Sequence, residues 1–180
     1  MNIQIYGLGD KRAVVYPLLY LLGQLDGAQL ITDDAAYRRL MPGGTGYIGN
    51  VAVSVCADGA EARTGEYTVT VYDCGRPVAD MGDGDETIWV KRAKENGDAP
   101  IHAYRTVCVD FERPAGQSKV PFVPLSLPVL RKYHQMETIG RLEAVPGRAS
   151  VRALAPMFAE MFSLSEKTTK FMLTKGGVLT

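Results

Sequence analysis

The sequence predicts an α/β domain in which a predominantly parallel sheet is flanked by helices. Three features predict it: a β-loop-α-β opening, a strand-rich middle of short apolar segments separated by turns, and a helical last third. At 180 residues, 46% hydrophobic and 22% charged, the chain suffices for one sizeable core and is short for two, so 1–180 reads as a single domain.

The opening follows that order. Residues 1–6 make a short strand pattern, Gly7, Leu8 and Gly9 a turn, and 11–25 a helix in which Val14, Leu18, Leu21, Leu22 and Leu25 recur at helical spacing. Pro17 is compatible with that helix if it lies in the first turn, where amide hydrogens lack an intrahelical partner. Residues 29–32 then read as a strand ending at Asp33 and Asp34, with a short helix over 35–40. A parallel βαβ unit needs this succession, and short apolar strands suit a sheet covered on both faces.

Beyond the turn signals of Met41, Pro42, Gly43 and Gly44, strands are expected over 48–56, 67–72, 87–90 and 104–110. Val51, Val53 and Val55 alternate with smaller residues, as do Val69 and Val71 with Thr68 and Thr70, the period of a pleated strand. After a last short strand over 120–123, helices are expected over 128–135, 148–162 and 165–173. Val151, Leu154, Phe158, Met161 and Phe162 form one apolar stripe, and Pro156 implies a late start or a kink.

Composition narrows the function classes. Twenty basic residues balance twenty acidic ones, so no overall positive charge draws nucleic acid or an anionic membrane. No apolar run reaches the roughly 20 residues of a membrane span and no secretory leader opens the chain, which leads to the expectation of a cytoplasmic protein. Cys56, Cys74 and Cys108 are odd in number, widely spaced and set in apolar runs, as small core hydrophobes are. His102 and His134 have no second ligand at metal spacing. Charge is uneven along the chain: residues 1–111 carry ten Lys/Arg against fifteen Asp/Glu, and 112–180 carry ten against five, giving minus five and plus five. Such asymmetry suits acidic and basic faces that meet in an oligomer or bind different partners, while scattered solvated charge is its plainer reading.

Several strings in order resemble one family. Residues 3–9 followed by Asp10, Lys11 and Arg12 look like a first strand and phosphate loop; 30–34 look like the next strand ending in aspartate; 71–75, reading Val, Tyr, Asp, Cys, Gly, look like a strand carrying a Walker B aspartate, here Asp73; and 124–162 resemble a proline-bearing loop, a short helix and a closing amphipathic helix. Together they resemble the ParA and MinD type of P-loop ATPases. The resemblance implies a Rossmann-like, P-loop NTPase-like three-layer fold, a nucleotide site at Gly7, Gly9, Lys11, Asp33 and Asp73 with ATP and magnesium as cofactors, and homodimerisation across the face carrying the loop.

The departures fall on the chemistry. A working phosphate loop needs glycines that let amides close around phosphate, a lysine, and a Ser or Thr for magnesium. With Lys11 in the lysine position, Asp10 replaces the preceding glycine and Arg12 the hydroxyl residue. A carboxylate there repels phosphate and itself satisfies the amides at the helix start, a cap worth about 1 kcal/mol. Ordinary ATP hydrolysis is therefore expected to be lost and no catalytic residue is assigned. A dinucleotide reading is poorer still: Gly7 and Gly9 supply two fingerprint glycines, Arg12 stands at the third, and Asp33 or Asp34 would serve the ribose.

Asp80, Asp83, Asp85 and Glu86, with Gly82 and Gly84, form an acidic stretch without calcium-loop spacing, read as a solvated turn that continues through the polar segment 91–100. Those loops together offer a docking surface. The expectation is thus a non-catalytic, degenerate P-loop scaffold or protein-interaction component of a larger assembly, without cofactor. Its alternative is a divergent nucleotide-binding switch using ATP and Mg, and a third class, a small-ligand enzyme, has no residues to nominate.

Overall fold

A computed structural model describes residues 1–25, 27–37, 43–55, 67–75, 82–83, 85–95, 105–116, 119–144 and 147–175. The elements run β1 (Asn2–Tyr6), α1 (Arg12–Leu22), β2 (Ala28–Thr32), β3 (Thr45–Ile48), β4 (Val51–Val55), β5 (Val69–Asp73), β6 (Glu86–Lys91), β7 (Arg105–Asp110), β8 (Phe122–Pro124), α2 (Leu127–Ile139), α3 (Arg148–Met161) and α4 (Glu166–Lys175). The eight strands form one sheet in the order β3-β4-β2-β5-β1-β6-β7-β8, parallel except for the antiparallel β3–β4 pair. The α/β reading with a predominantly parallel, helix-flanked sheet holds.

The order contains a topological switch. From β1 the chain leaves through α1 to β2 on one side; after β5 returns to pair with β1, the next strand, β6, lies on the other side. The carboxyl ends of β5, β1 and β6 therefore flank a point where successive connections diverge, the place where open α/β sheets leave a crevice.

Strand alternation sorts the two faces. Ile3 and Ile5 of β1 share a face with Leu30, Val71, Ile88 and Val90, and all are fully buried in the main core. The four helices contribute Leu18, Tyr133, Phe158 and Leu173 to that same core; α3 packs on β8 and α4, and α1 packs on both helices. The opposite face carries Gln4, Gln29, Thr70, Thr87 and Trp89, also buried, with Gln29 Nε2 donating to Thr70 Oγ1 at 2.9 Å. A sheet covered on both faces is consistent with a Rossmann-like three-layer architecture.

Several expectations change in detail. The helix expected over 11–25 spans Arg12–Leu22, and Pro17 lies in its interior rather than its first turn. The lost bond is tolerated because nine of its eleven residues are buried and packing, not local propensity, holds the helix. One expected strand over 48–56 is in fact a hairpin: β3 and β4 pair through Gly49, at φ +58°, and Asn50, a two-residue connection that Gly-Asn signals. Lys91, expected in a polar loop, ends β6 and is buried, its Nζ 3.4 Å from the Glu95 carbonyl and 5.8 Å from the Trp89 ring centre. The helix expected over 128–135 runs Leu127–Ile139, capped by Ser126 Oγ and closed by Gly140 at φ +66°. Residues 38–40 of the short helix, Met41, Pro42, Cys56 and His102 lie outside the described residues.

Phe158 sits where α3 meets the sheet with no exposure. Phe158→Ala is expected to lower unfolding free energy by about 3–5 kcal/mol, read as a shifted urea midpoint with an unchanged slope.

Candidate functional site

The segment after β1 lies at the switch point, so its geometry decides what the crevice can hold. Gly7 takes φ +130°, and a Cβ there would lie 2.1 Å from the Val90 carbonyl oxygen. Gly9 donates its amide to that same oxygen at 3.0 Å, and the Arg92 Nε donates to the Leu8 carbonyl at 2.9 Å. Both glycines are thus required by close packing of the loop on the end of β6, and the Gly9 amide is already in use.

The start of α1 is occupied by the protein's own carboxylate. Asp10 Oδ1 accepts the Arg12 amide at 3.2 Å and the Arg12 Nε at 2.9 Å, while Oδ2 accepts Nη2 at 2.8 Å. Asp10 stands one residue before the N-cap, Lys11, whose own side chain makes no cap bond, so it meets the capping expectation for one amide only; it also binds the guanidinium at two points. Arg12 also donates Nη1 to Glu137 Oε1 at 3.1 Å, which accepts the Tyr16 hydroxyl at 2.7 Å as well. The Asp10 and Glu137 bonds raise the Arg12 pKa, with burial opposing them, and burial first and Glu137 second raise that of Tyr16. Arg12 is therefore a structural cation tying α1 to α2.

Lys11 turns to β5. Its Nζ lies 2.5 Å from Asp73 Oδ1, and the Tyr37 hydroxyl donates to Asp73 Oδ2 at 3.3 Å. Asp73 is almost fully buried; desolvation pushes its pKa up, and the Lys11 ammonium opposes that rise. The strand carboxyl ends are stitched further: Thr32 Oγ1 donates to the Asp73 carbonyl at 2.9 Å and accepts the Asp34 amide at 3.0 Å. Asp33 accepts the Gly75 amide through Oδ1 and Oδ2 at 3.0 and 2.9 Å, and Asp34 Oδ1 accepts the Ala36 amide at 2.8 Å.

All five sequence-derived site residues accordingly gather at the carboxyl edge of β1, β2 and β5. Each is engaged by the protein itself: Gly7 and Gly9 by β6, Lys11 and Asp73 by each other, and Asp33 by Gly75. An incoming phosphate would have to displace Asp73 from Lys11 and meet Asp10 at the helix start, both costly for an anion.

Sequence reasoning missed the aromatic half of the cluster. Tyr16 packs edge-on against Tyr37 and Tyr133, with centroids 6.2 and 5.5 Å apart, and the Arg12 guanidinium lies 5.6 Å from the Tyr133 ring centre. The Tyr133 hydroxyl is buried and has no hydrogen-bond partner among the described residues. Tyr16 stands on α1 at helical spacing from Arg12, the one local signal that could have linked them; Tyr133 and Glu137 arrive from a helix over 110 residues away.

Two of the described acids of the acidic stretch, Asp85 and Glu86, are internally committed. Asp85 accepts the Asn2 amide at 2.6 Å, Asn2 Nδ2 at 2.9 Å and the Gly82 amide at 2.9 Å. Desolvation works against its ionisation, yet these donors hold its carboxyl below the usual range. Glu86 pairs with Arg105 at 2.9 Å. Asp80, Met81, Gly84 and residues 96–100 lie outside the described residues, among which no group of three or more His, Cys, Asp or Glu could hold a metal ion. Among the same residues no helix is long and apolar enough to cross a membrane.

Replacing Lys11 with Met leaves Asp73 buried without its cation, an expected loss of order 3 kcal/mol near neutral pH. With the ammonium gone the Asp73 pKa rises further above its unfolded value, so the protonated carboxyl stabilises the fold at low pH and that contribution disappears as pH rises through the folded pKa. Urea denaturation should therefore show a deficit for Lys11→Met that is small near pH 4 and larger at about pH 8, and Lys11→Met/Asp73→Asn should recover part of it.

No protein-family model, curated protein or solved structure matches this chain.

Proposed function

We propose that this protein is a non-catalytic, protein-binding component that keeps the frame of a ParA/MinD-like P-loop ATPase and uses its surfaces rather than its phosphate loop. The observation that carries this reading is the Lys11–Asp73 ion pair at 2.5 Å, which neutralises the one lysine of the loop with the aspartate of the strand beside it. The Asp10 carboxylate seated on the Arg12 amide supports it, because that is where the helix would otherwise receive an anion.

The carboxyl edge that holds this closed cluster also carries exposed apolar side chains. Leu8 follows β1, Phe111 follows β7 and Leu127 opens α2 after β8, and each exposes more than half of its surface. Large apolar side chains at one edge of a sheet suit contact with another protein better than contact with a phosphate-bearing ligand. In this reading the edge is where a second copy or another subunit docks, and the protein contributes position and shape to an assembly.

The second reading, a divergent nucleotide switch with ATP and Mg, draws on one observation: Lys11 retains 18% of its side-chain exposure at the switch point, so a nucleotide could reach it by displacing Asp73. Calorimetric titration of the protein with ATP and ADP, with and without Mg²⁺, separates the two. The proposed function expects no heat of binding up to about 1 mM nucleotide. Micromolar binding that Lys11→Gln abolishes would overturn it in favour of the switch. Sedimentation equilibrium tests whether the occupant of the docking edge is a second copy: self-association of the wild type that Leu8→Glu weakens at least tenfold is the outcome expected for that occupant, and a monomer points to another subunit.

A further inference from the structure

A groove of about 820 Å³ lies away from the phosphate-loop segment, between α3 and the β7–β8 margin of the sheet. One wall is a single face of α3 from Ala149 to Glu160, a run of roughly 16 Å at the helical rise per residue. The opposite wall comes from β7, β8 and the segment before β8. Pro121, Phe122, Ala153 and Met157 are among its apolar lining, with Met157 nearly buried at its base.

Its charges are lopsided. Arg113, Lys119 and Arg152 reach it with no carboxylate partner among the described residues, whereas its acid, Glu160, is held by Arg105 Nη1 at 2.9 Å. Arg105 is itself held on its other side by Glu86. The Arg113 guanidinium lies 5.9 Å from the Phe122 ring centre, which places a cation beside the apolar lining. These cations belong to the stretch 112–180 that carries ten basic against five acidic residues.

The backbone narrows the mode of binding. Pro156, in the interior of α3 and on the groove wall, lacks the amide that would bond the Arg152 carbonyl four residues earlier. That wall therefore has an acceptor without its helical donor. The β8 edge is three residues long, ends at Pro124 and is preceded by Pro121, so it offers too few amides to add another strand. Recognition must then rest on side chains, charge and single backbone contacts.

We propose that this groove binds an extended acidic peptide segment of a partner protein, with one large apolar side chain seated between Phe122 and Met157 and its carboxylates facing Arg113, Lys119 and Arg152. A length of roughly 16 Å fits about five extended residues. Charge complementarity selects an acidic occupant, and the apolar lining supplies the anchor that charge alone lacks. The groove is on a different part of the fold from Lys11 and Asp73, so this assignment stands whether or not the nucleotide site is closed.

The test is selection of a random peptide display library on the intact protein, followed by fluorescence anisotropy of the enriched peptides. The expected peptides combine several Asp or Glu with a Phe, Trp or Leu. Arg113→Glu/Arg152→Glu should weaken them at least tenfold, and Ala149→Trp should do so by filling the trough without changing charge. Lys167→Glu, on α4, should leave binding unchanged, and circular dichroism melts should show all variants folded. Enriched peptides without acidic bias, no enrichment, or binding that survives both groove variants would overturn the proposal. It would equally be overturned by a self-association that the Arg113→Glu/Arg152→Glu change abolishes, since the occupant would then be a second copy of this chain.

Discussion

The contact between Lys11 and Asp73 organises the centre of this molecule. It joins the start of α1 to the end of β5 across the carboxyl edge of the sheet, beside the strand from which connections diverge to both sides. A nearly buried carboxylate needs a counter-charge, because an unpaired charge in that environment costs several kcal/mol. Lys11 is placed to supply it by the turn at Gly7–Gly9, which fits only because neither residue has a side chain to collide with β6. Tyr37 and Thr32 then close hydrogen bonds around the aspartate and its backbone. Strand order, loop conformation and charge pairing are thus parts of one constraint.

That constraint bears on what the crevice can do. In an open α/β sheet the switch point is where free amides and a cation receive an anionic ligand. Here the Gly9 amide bonds Val90, the Arg12 amide bonds Asp10, and the lysine is ion-paired with Asp73. The same features that would recognise a phosphate hold the domain together instead. The proposed role therefore moves to the surface, to the exposed apolar side chains at the carboxyl edge and to the groove beside α3, where Arg113, Lys119 and Arg152 have no carboxylate partner among the described residues.

The two faces of the sheet show a related division. One carries Ile, Leu and Val against the helices; the other buries Gln4, Gln29, Thr70 and Thr87. Buried amides and hydroxyls are tolerable when they bond one another, as Gln29 and Thr70 do. Strands that look half-polar in sequence are consequently interior on both sides, which explains why Lys91 could end a buried strand while reading as the start of a loop.

What the sequence alone determined was the fold class, most of the elements in their order, and a candidate site to look for. Periodicity located α1, the alternation of valines located β4 and β5, and the apolar stripe located α3, because local propensity and burial pattern agree there. Gly7, Gly9, Lys11, Asp33 and Asp73 were singled out by the resemblance to a phosphate loop and its neighbouring strand ends, and the structure gathers them at one edge of the sheet. The Gly49-Asn50 turn was also written in the sequence but was read through, because Ile48 before it and Val51 after it are both apolar and the valine alternation lies wholly in β4. Only the tertiary structure decided that Asp73 would face Lys11, that Tyr133 and Glu137 would close over Arg12 and Tyr16, and that α3 would leave a basic trough beside β8. These contacts join residues far apart in the chain, and sheet order, which no local pattern encodes, sets which of them meet.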